Sequence, residues 1–413
     1  MIKTHAIHEN GHDSTVKTAR EGPIVSGASR EMEFILTVLH ANWPEAGPAR
    51  AGTLIEIGLD WRLVLRLAIH HGVIDLFFDN LRGTIVDLLP QSLTDSLQAN
   101  SQLSAHKNLY FSSELIHIVS LLERGGIPVI SLKGPLLGSY LYDNISLRPF
   151  GDLDLVVRKE DILRAKTILV EEGFRPISML SADDEKDYIE SQFALTLTRK
   201  RGDFQTVAEL HWALTHRFFS FKFDPENVWT MTEHLKLSDT TITTLARPLL
   251  LLFLCVHGAK HDWNRIIWLC DVVRLAQRMT DEDWKTFEHL ANQTRSVRMA
   301  TVGLGLGQQL MGYTYPEGIL TLINSDARGQ KWTTRLAQHF KSGETNKLPK
   351  LVSMRFQTGV RESVRDRWGS YWQQFKLLIS PTESDRSFIK LPRLLYPLYY
   401  VVRPLRVILQ RTR

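Results

Sequence analysis

Cysteine is scarce in this sequence of 413 residues, which contains only Cys255 and Cys270. Two cysteines are too few for a disulfide framework, and they lack the paired C-x-x-C spacing of a structural zinc site. Proteins that depend on disulfides or on a zinc cluster are therefore excluded. The scarcity indicates a reducing compartment, so we expect a cytoplasmic protein.

Long apolar runs are also missing. The longest candidates, such as the run from Pro248 to Val256, have the length of a buried helix and fall short of the roughly 18 to 20 residues of a membrane span. No N-terminal stretch shows the charged, apolar and small-residue order of a signal peptide. With 43% hydrophobic and 23% charged residues, the composition is that of an ordinary globular protein.

The body of the chain has no strong excess of either charge sign. The formal net charge is +5, and the segment 386–413 is rich in Lys and Arg and contains no acid. Because a nucleic-acid-binding surface usually spreads basic residues over a folded domain, we do not expect nucleic acid as the main partner. The terminal segment has two interpretations, a weak peripheral membrane contact or a basic tail that packs its Leu and Tyr residues on the body. We favour the tail.

The hydrophobic pattern divides the chain into five regions. A disordered tail is predicted over 1–29, a helical region over 30–115, a mixed core over 116–244, a helical domain over 245–380 and a basic apolar tail over 381–413. In the core, short apolar strands alternate with helices, so the fold class is α+β. The predicted strands lie at 127–132, 153–157, 194–198 and 206–212.

Two pairs of polar residues lie on the predicted strands of the core. Side chains alternate along a strand, so Asp152 and Asp154 point to the same face, and so do Glu209 and His211. Two adjacent carboxylates repel each other unless a cation neutralises them, and hard oxygen ligands favour Mg²⁺ or Mn²⁺. The alternative interpretation of a bare D-x-D is a solvated turn.

The motifs around these acids resemble those of the DNA polymerase beta-like nucleotidyltransferase superfamily, and more closely those of a bacterial family of uncharacterised nucleotidyltransferases. The resemblance covers roughly residues 55–280, with a weaker similarity near 381–406. The matching pieces are Leu132-Lys133-Gly134, Arg148, Asp152-Leu153-Asp154-Leu155-Val156, Glu209-Leu210-His211-Trp212, and the stretch from His257-Gly258 to Asp271.

The resemblance implies a small mixed sheet between helical regions and three acids that hold two Mg²⁺ or Mn²⁺ ions. Carried over residue by residue, Asp152, Asp154 and Glu209 are the catalytic and metal-binding carboxylates. One ion would activate the acceptor hydroxyl and the other would hold the triphosphate of a nucleoside triphosphate, with ATP as the expected donor.

Four further residues are candidates for nucleotide contact: Lys133, Gly134, Arg148 and His211. The sequence departs from the superfamily's usual Gly-Ser turn, but Gly134 would still let the backbone approach a phosphate at a helix N-terminus, and Lys133 would add charge. The alternatives are a plain turn at Gly134, an ion pair between Arg148 and Asp152, and a satisfied core histidine at position 211.

His257 and His261 share a helix face. Glycine at position 258 removes the glutamate that a zinc protease needs. The His261-Asp262 pair resembles that of HD-type metal phosphohydrolases, but His257 and Asp271 are poorly spaced for the other histidine and aspartate of that family. We expect these histidines either to line the cleft or to form a polar rim.

The sequence therefore predicts a metal-dependent transfer of a nucleoside monophosphate from a nucleoside triphosphate to an acceptor, with release of pyrophosphate. A small-molecule or protein acceptor is favoured over nucleic acid. The alternative is a catalytically inactive nucleotide- or partner-binding module with the same fold.

Overall fold

The computed structural model describes residues 29–177, 182–216 and 219–369. The chain forms two compact units. The first contains the chain up to Leu214, Thr232–Leu245 and Leu336–Thr345, and the second contains Thr215–Met231, Ala246–Arg335 and the chain from Asn346 onward. Of the two tails predicted over 1–29 and 381–413, only Ser29 belongs to the described residues, so the proposed membrane contact of the terminal segment lies outside them.

Helices surround the sheet in the first unit, as the periodicity predicts. The longest, α5, spans 34 residues and buries Leu115, Val119 and Leu122, which share one helix face. The helices of this unit are α1 (Arg30–Val38), α2 (Trp43–Ile57), α3 (Trp61–His70), α4 (Ile74–Arg82), α5 (Gln91–Arg124), α6 (Pro135–Tyr142), α7 (Ile162–Glu171) and α8 (Ala182–Ser191).

A mixed sheet of seven strands forms the centre of the first unit, in the order β3-β4-β5-β2-β1-β7-β6. The pairs β2–β5 and β1–β7 are parallel and the other pairs are antiparallel. The α+β fold class is therefore confirmed. The strands are β1 (Ile130–Ser131), β2 (Leu153–Val156), β3 (Arg175–Pro176), β4 (Ala194–Arg201), β5 (Phe204–His211), β6 (Thr232–Leu237) and β7 (Thr240–Leu245).

The alternation of side chains separates the two faces of the central strands. Leu153 and Leu155 of β2, with Ala208 and Leu210 of β5, join a core cluster that also includes residues of α5 and α7. Their neighbours Asp154, Glu209 and His211 occupy the alternate positions. One face of β2 and β5 is thus committed to the core, and the other is available for polar groups.

A buried ion pair connects α5 to the sheet. The guanidinium of Arg199, on β4, donates to both carboxylate oxygens of Glu114 at 2.8 and 2.6 Å. Thr206 donates to the same carboxylate at 3.0 Å, and Arg199 lies over the ring of Phe174. The side chains of Arg199 and Glu114 are only 6% and 2% exposed, so their charges need compensation by pairing. Glu172 is a second, longer partner of Arg199, at 3.3 Å.

In the part of the second unit that the structure describes, the secondary structure is helical. Helix α14 contributes residues to both units. Among the described residues, no helix combines the length and the apolarity needed to cross a lipid bilayer. The helices that begin after residue 245 are α9 (Arg247–Lys260), α10 (Ile266–Ala276), α11 (Asp281–Gln293), α12 (Val297–Met311), α13 (Glu317–Ser325), α14 (Ala327–Lys341) and α15 (Lys350–Gly359).

Trp263 is the largest fully buried side chain among the described residues of the second unit, and two glycines make room for it. A Cβ on Gly258 of α9 would lie 2.5 Å from the indole ring, and a Cβ on Gly303 of α12 would lie 2.8 Å from it. Cys255 is also close to this Cβ position on Gly303. The stretch from Gly258 to Trp263, which carries part of the family resemblance, therefore has a packing role.

Gly258→Ala is expected to destabilise the protein by about 1 to 3 kcal/mol, because the added methyl group overlaps a ring that cannot move in a packed core. The measurement is the free energy of unfolding in urea, monitored by circular dichroism. Gly318→Ala in α13 is the matched control, since nothing lies within 4 Å of its added Cβ. The control variant is expected to have a free energy of unfolding higher by up to about 1 kcal/mol, because alanine favours the helix more than glycine does. Equal unfolding midpoints for the two variants would contradict the packing role of Gly258.

Candidate active site

Three of the predicted site residues meet where β2 and β5 run side by side. In the parallel register Asp154 is opposite Glu209, and ligand atoms of Asp154, Glu209 and His211 lie within 4.8 Å of one another. The Asp154 side chain is 5% exposed and that of Glu209 is 25% exposed. Asp152 precedes β2 and is more open, with 38% of its side chain exposed.

His211 connects the two acids on neighbouring strands. Its Nε2 lies 3.1 Å from Oδ1 of Asp154 and 3.3 Å from Oε2 of Glu209. Its Nδ1 is buried and has no hydrogen-bond partner among the described residues. The imidazole therefore holds the carboxylates of the two strands at a fixed separation.

Lys133 brings Asp152 into the same group. This residue follows β1, whose antiparallel pairing with β2 places Ser131 opposite Leu155. Its ammonium lies 2.6 Å from Oδ2 of Asp154 and 3.2 Å from Oδ1 of Asp152, and the side chain is only 13% exposed. The structure thus brings together the three predicted acids, Lys133 and His211.

The ionisation of the group follows from burial and from the paired charges. Burial would raise the pKa of Asp154, but the Lys133 ammonium and the His211 imidazole hold it far below its ordinary value. Burial and the charge of Asp154 raise the pKa of Asp152. Burial alone would lower the pKa of Lys133, because it disfavours the charged ammonium. The negative charges of Asp154 and Asp152 outweigh this effect and raise the pKa. The Lys133–Asp154 pair is consequently charged at neutral pH.

The same balance applies to His211. Burial alone would lower the pKa of its imidazole, but the hydrogen bonds to Asp154 and Glu209 raise that pKa. The acids therefore favour a protonated ring, which donates from Nε2 to a carboxylate oxygen.

Gly134 shapes the turn that leads from Lys133 into α6. Its backbone has φ 75° and ψ −142°, a combination that is essentially restricted to glycine. A Cβ at this position would lie 3.5 Å from the carbonyl oxygen of Asp152. Pro135 then begins the helix, as predicted. The N-terminus of α6 therefore lies next to the start of the D-x-D segment.

Arg148 is buried, and its position is fixed through its backbone. Asn108 on α5 donates to the Arg148 carbonyl at 3.2 Å, and the aliphatic part of Arg148 lies next to Gly138 of α6. Its predicted contact with a triphosphate stays a prediction.

Two aromatic residues that the sequence did not single out border the site. The ring of Phe193 lies 5.6 Å from the His211 ring. Tyr188 donates to the carbonyl of Ala194 at 3.1 Å, and burial together with the charge of Glu209 raises the pKa of its hydroxyl. Neither residue belongs to a recognisable motif, so only the fold reveals them.

His257 and His261 lie in the second unit. Their ring centroids are 4.7 Å apart, and both rings contact the ring of Trp268. Their role in a cleft stays a prediction.

The donor atoms of the site fit a divalent cation. Carboxylate oxygens from Asp154 and Glu209 lie within 4.8 Å of each other and of a nitrogen of His211. This nitrogen becomes a ligand only when the ring loses the proton that the acids favour, so the carboxylates are the primary ligands. Oxygen donors suit Mg²⁺, and Mn²⁺ accepts oxygen together with imidazole nitrogen.

Neither a curated protein nor a solved structure matches the chain. The sequence model of one family, described as uncharacterised nucleotidyltransferase, matches residues 58–312. The match covers more than half of the chain and includes β1, β2 and β5. It also includes the five residues that meet in the site, which are Lys133, Asp152, Asp154, Glu209 and His211. The protein therefore belongs to this family of uncharacterised nucleotidyltransferases.

Proposed function

We propose that the protein transfers a nucleoside monophosphate from a nucleoside triphosphate, with ATP as the expected donor, to an acceptor hydroxyl or phosphate and releases pyrophosphate. The observation that carries this proposal is the convergence of Asp154, Glu209 and His211 on β2 and β5, with Asp152 beside them. Family membership supports the same class of reaction.

Asp152, Asp154 and Glu209 would hold Mg²⁺ or Mn²⁺. When bound, these ions neutralise charge on the phosphates and on the attacking oxygen during an in-line displacement. His211 keeps Asp154 and Glu209 oriented through its contacts with both. Because the backbones of β2 and β5 set the positions of Asp154 and Glu209, these two acids need little reorganisation before the reaction.

Lys133, Gly134 and Arg148 would bind the phosphates of the nucleotide. Gly134 lets the chain turn sharply into α6, and the free N–H groups at the start of that helix attract anions. The Lys133 ammonium is adjacent to the aspartates, so it can contact a phosphate group that is held there. A small-molecule or protein acceptor remains favoured, because the body of the chain has little net charge.

The test is incubation of the purified protein and a bacterial extract with each α-phosphate-labelled nucleoside triphosphate and Mg²⁺ or Mn²⁺. Label is expected to enter one acceptor fraction with wild-type protein, with release of pyrophosphate, and not with the Asp152→Ala/Asp154→Ala variant. Metal-dependent nucleotide binding without label transfer or pyrophosphate would overturn the proposal in favour of an inactive binding module. Fractionating small molecules, protein and nucleic acid would identify the acceptor class.

A further inference from the structure

Lys133 occupies a central position among the carboxylates that would bind the metal. Both oxygens of Asp154 are in contact with donors, Oδ2 with the Lys133 ammonium and Oδ1 with His211. The ammonium also contacts Oδ1 of Asp152. A divalent cation that binds both aspartates would therefore have to share these oxygens with a positive charge a few ångströms away, which is unfavourable in a buried site.

The surroundings of Lys133 fix its backbone but leave its side chain a choice of partners. Ser131 pairs with both β2 and β7, and Gly134, the residue before α6, lies next to the Asp152 carbonyl. The ammonium is attached through four methylene groups, so it can turn away from Asp154 without a movement of the strand. The start of α6, where phosphates are expected to bind, is two residues away.

We propose that Lys133 is a substrate-binding residue that exchanges partners when the substrate binds. The ammonium pairs with Asp152 and Asp154 before the substrate binds, and it moves to the nucleotide phosphates when the metal and the nucleotide enter together. This inference rests on the proposed function and goes beyond it in assigning a binding order. Divalent cation alone binds weakly, and the nucleotide strengthens its binding by taking over the lysine charge.

Lys133 also stabilises the site before the metal and the nucleotide bind. Asp152 and Asp154 are close together and partly or fully buried, and two such carboxylates would destabilise the fold without a cation. Lys133 supplies this cation from within the chain. The same charge then discourages a metal ion from binding without a nucleotide.

The test is Mn²⁺ binding measured by electron paramagnetic resonance of free Mn²⁺, without any turnover. In the absence of nucleotide, Lys133→Met is expected to bind Mn²⁺ at least tenfold more tightly than the wild type. The variant should also unfold at a lower temperature without metal and recover when Mn²⁺ is added. Lys159→Met is the matched control, because Lys159 forms an exposed pair with Glu190 in the same unit; its Mn²⁺ affinity should equal that of the wild type.

Lys133→Arg is a second variant that keeps the charge and both carboxylate partners. It is expected to fold and to bind Mn²⁺ no more tightly than the wild type. Unchanged Mn²⁺ affinity in folded Lys133→Met, or tighter binding in Lys133→Arg, would overturn the exchange.

A non-hydrolysable ATP analogue separates the two hypotheses. If the wild type binds the analogue with Mn²⁺ but Lys133→Met has wild-type affinity for Mn²⁺ alone, only the exchange fails. If the wild type binds no nucleotide at all, the proposed function fails.

Discussion

Asp154→Asn is expected to reduce nucleotidyl transfer about 10³-fold or more. Asp154 is the most buried acid of the group and contacts Lys133 and His211. The amide keeps the size of the side chain but loses the negative charge that would hold the cation. Because a bound metal contributes several kcal/mol to stabilising the transition state, and each 1.4 kcal/mol is worth a factor of ten, the loss should be large.

The measurement is the initial rate of pyrophosphate release at saturating nucleotide and Mg²⁺. Asp87→Asn is the matched control, since Asp87 is exposed in the first unit and its replacement should leave the rate unchanged. Circular dichroism must show that the Asp154 variant is folded. A folded Asp154→Asn protein with more than a tenth of wild-type activity would remove Asp154 from the reaction.

Glu114→Ala is expected to destabilise the protein by about 2 to 3 kcal/mol, because it removes two charge-assisted hydrogen bonds from buried Arg199 and leaves only the longer contact with Glu172, at 3.3 Å, to compensate the charge. The measurement is the free energy of unfolding in urea. The control is Asp79→Ala, which breaks an exposed pair with Arg82. Exposed pairs of this kind contribute about 0 to 1 kcal/mol, so the control should unfold almost as the wild type does.

The double variant Glu114→Ala/Arg199→Met separates the cost of an unpaired charge from the value of the pair. Replacing both partners with apolar groups removes the buried charge, and most of the lost stability should return. If the double variant is as unstable as Glu114→Ala, loss of packing around α5 would account for the effect, and the electrostatic explanation would be wrong.

The predicted and observed elements agree where local pattern determines structure. Helix α6 spans Pro135–Tyr142 and follows from the local pattern, because proline begins the helix and apolar residues fill it. The β6–β7 hairpin was not predicted. Its strands are rich in Thr and partly exposed, and the link at Ser238 and Asp239 is not one of the common hairpin dipeptides. Only pairing with β1 reveals its place in the sheet.

In the site, too, local pattern predicts some features, and the pairing of strands determines the others. Alternation along a strand predicted that Asp152 and Asp154 share a face and that Glu209 and His211 do so as well. Their meeting depends on the parallel register of β2 and β5, which no local pattern specifies. The contact of Lys133 with both aspartates depends in turn on the β1–β2 register. Contacts across strands were therefore beyond prediction from sequence spacing alone.

The pairing of β1 with β7 affects how the protein folds while it is being synthesised. Ser131 accepts a hydrogen bond from Thr244, 113 residues later, at 2.7 Å. A nascent chain that has just passed His211 already contains every acid of the site, yet one edge of β1 has no neighbour until the ribosome has delivered β7. Pairings between distant residues slow folding, and an open strand edge promotes aggregation. The sheet can therefore be completed only after residues 232–245 have been synthesised.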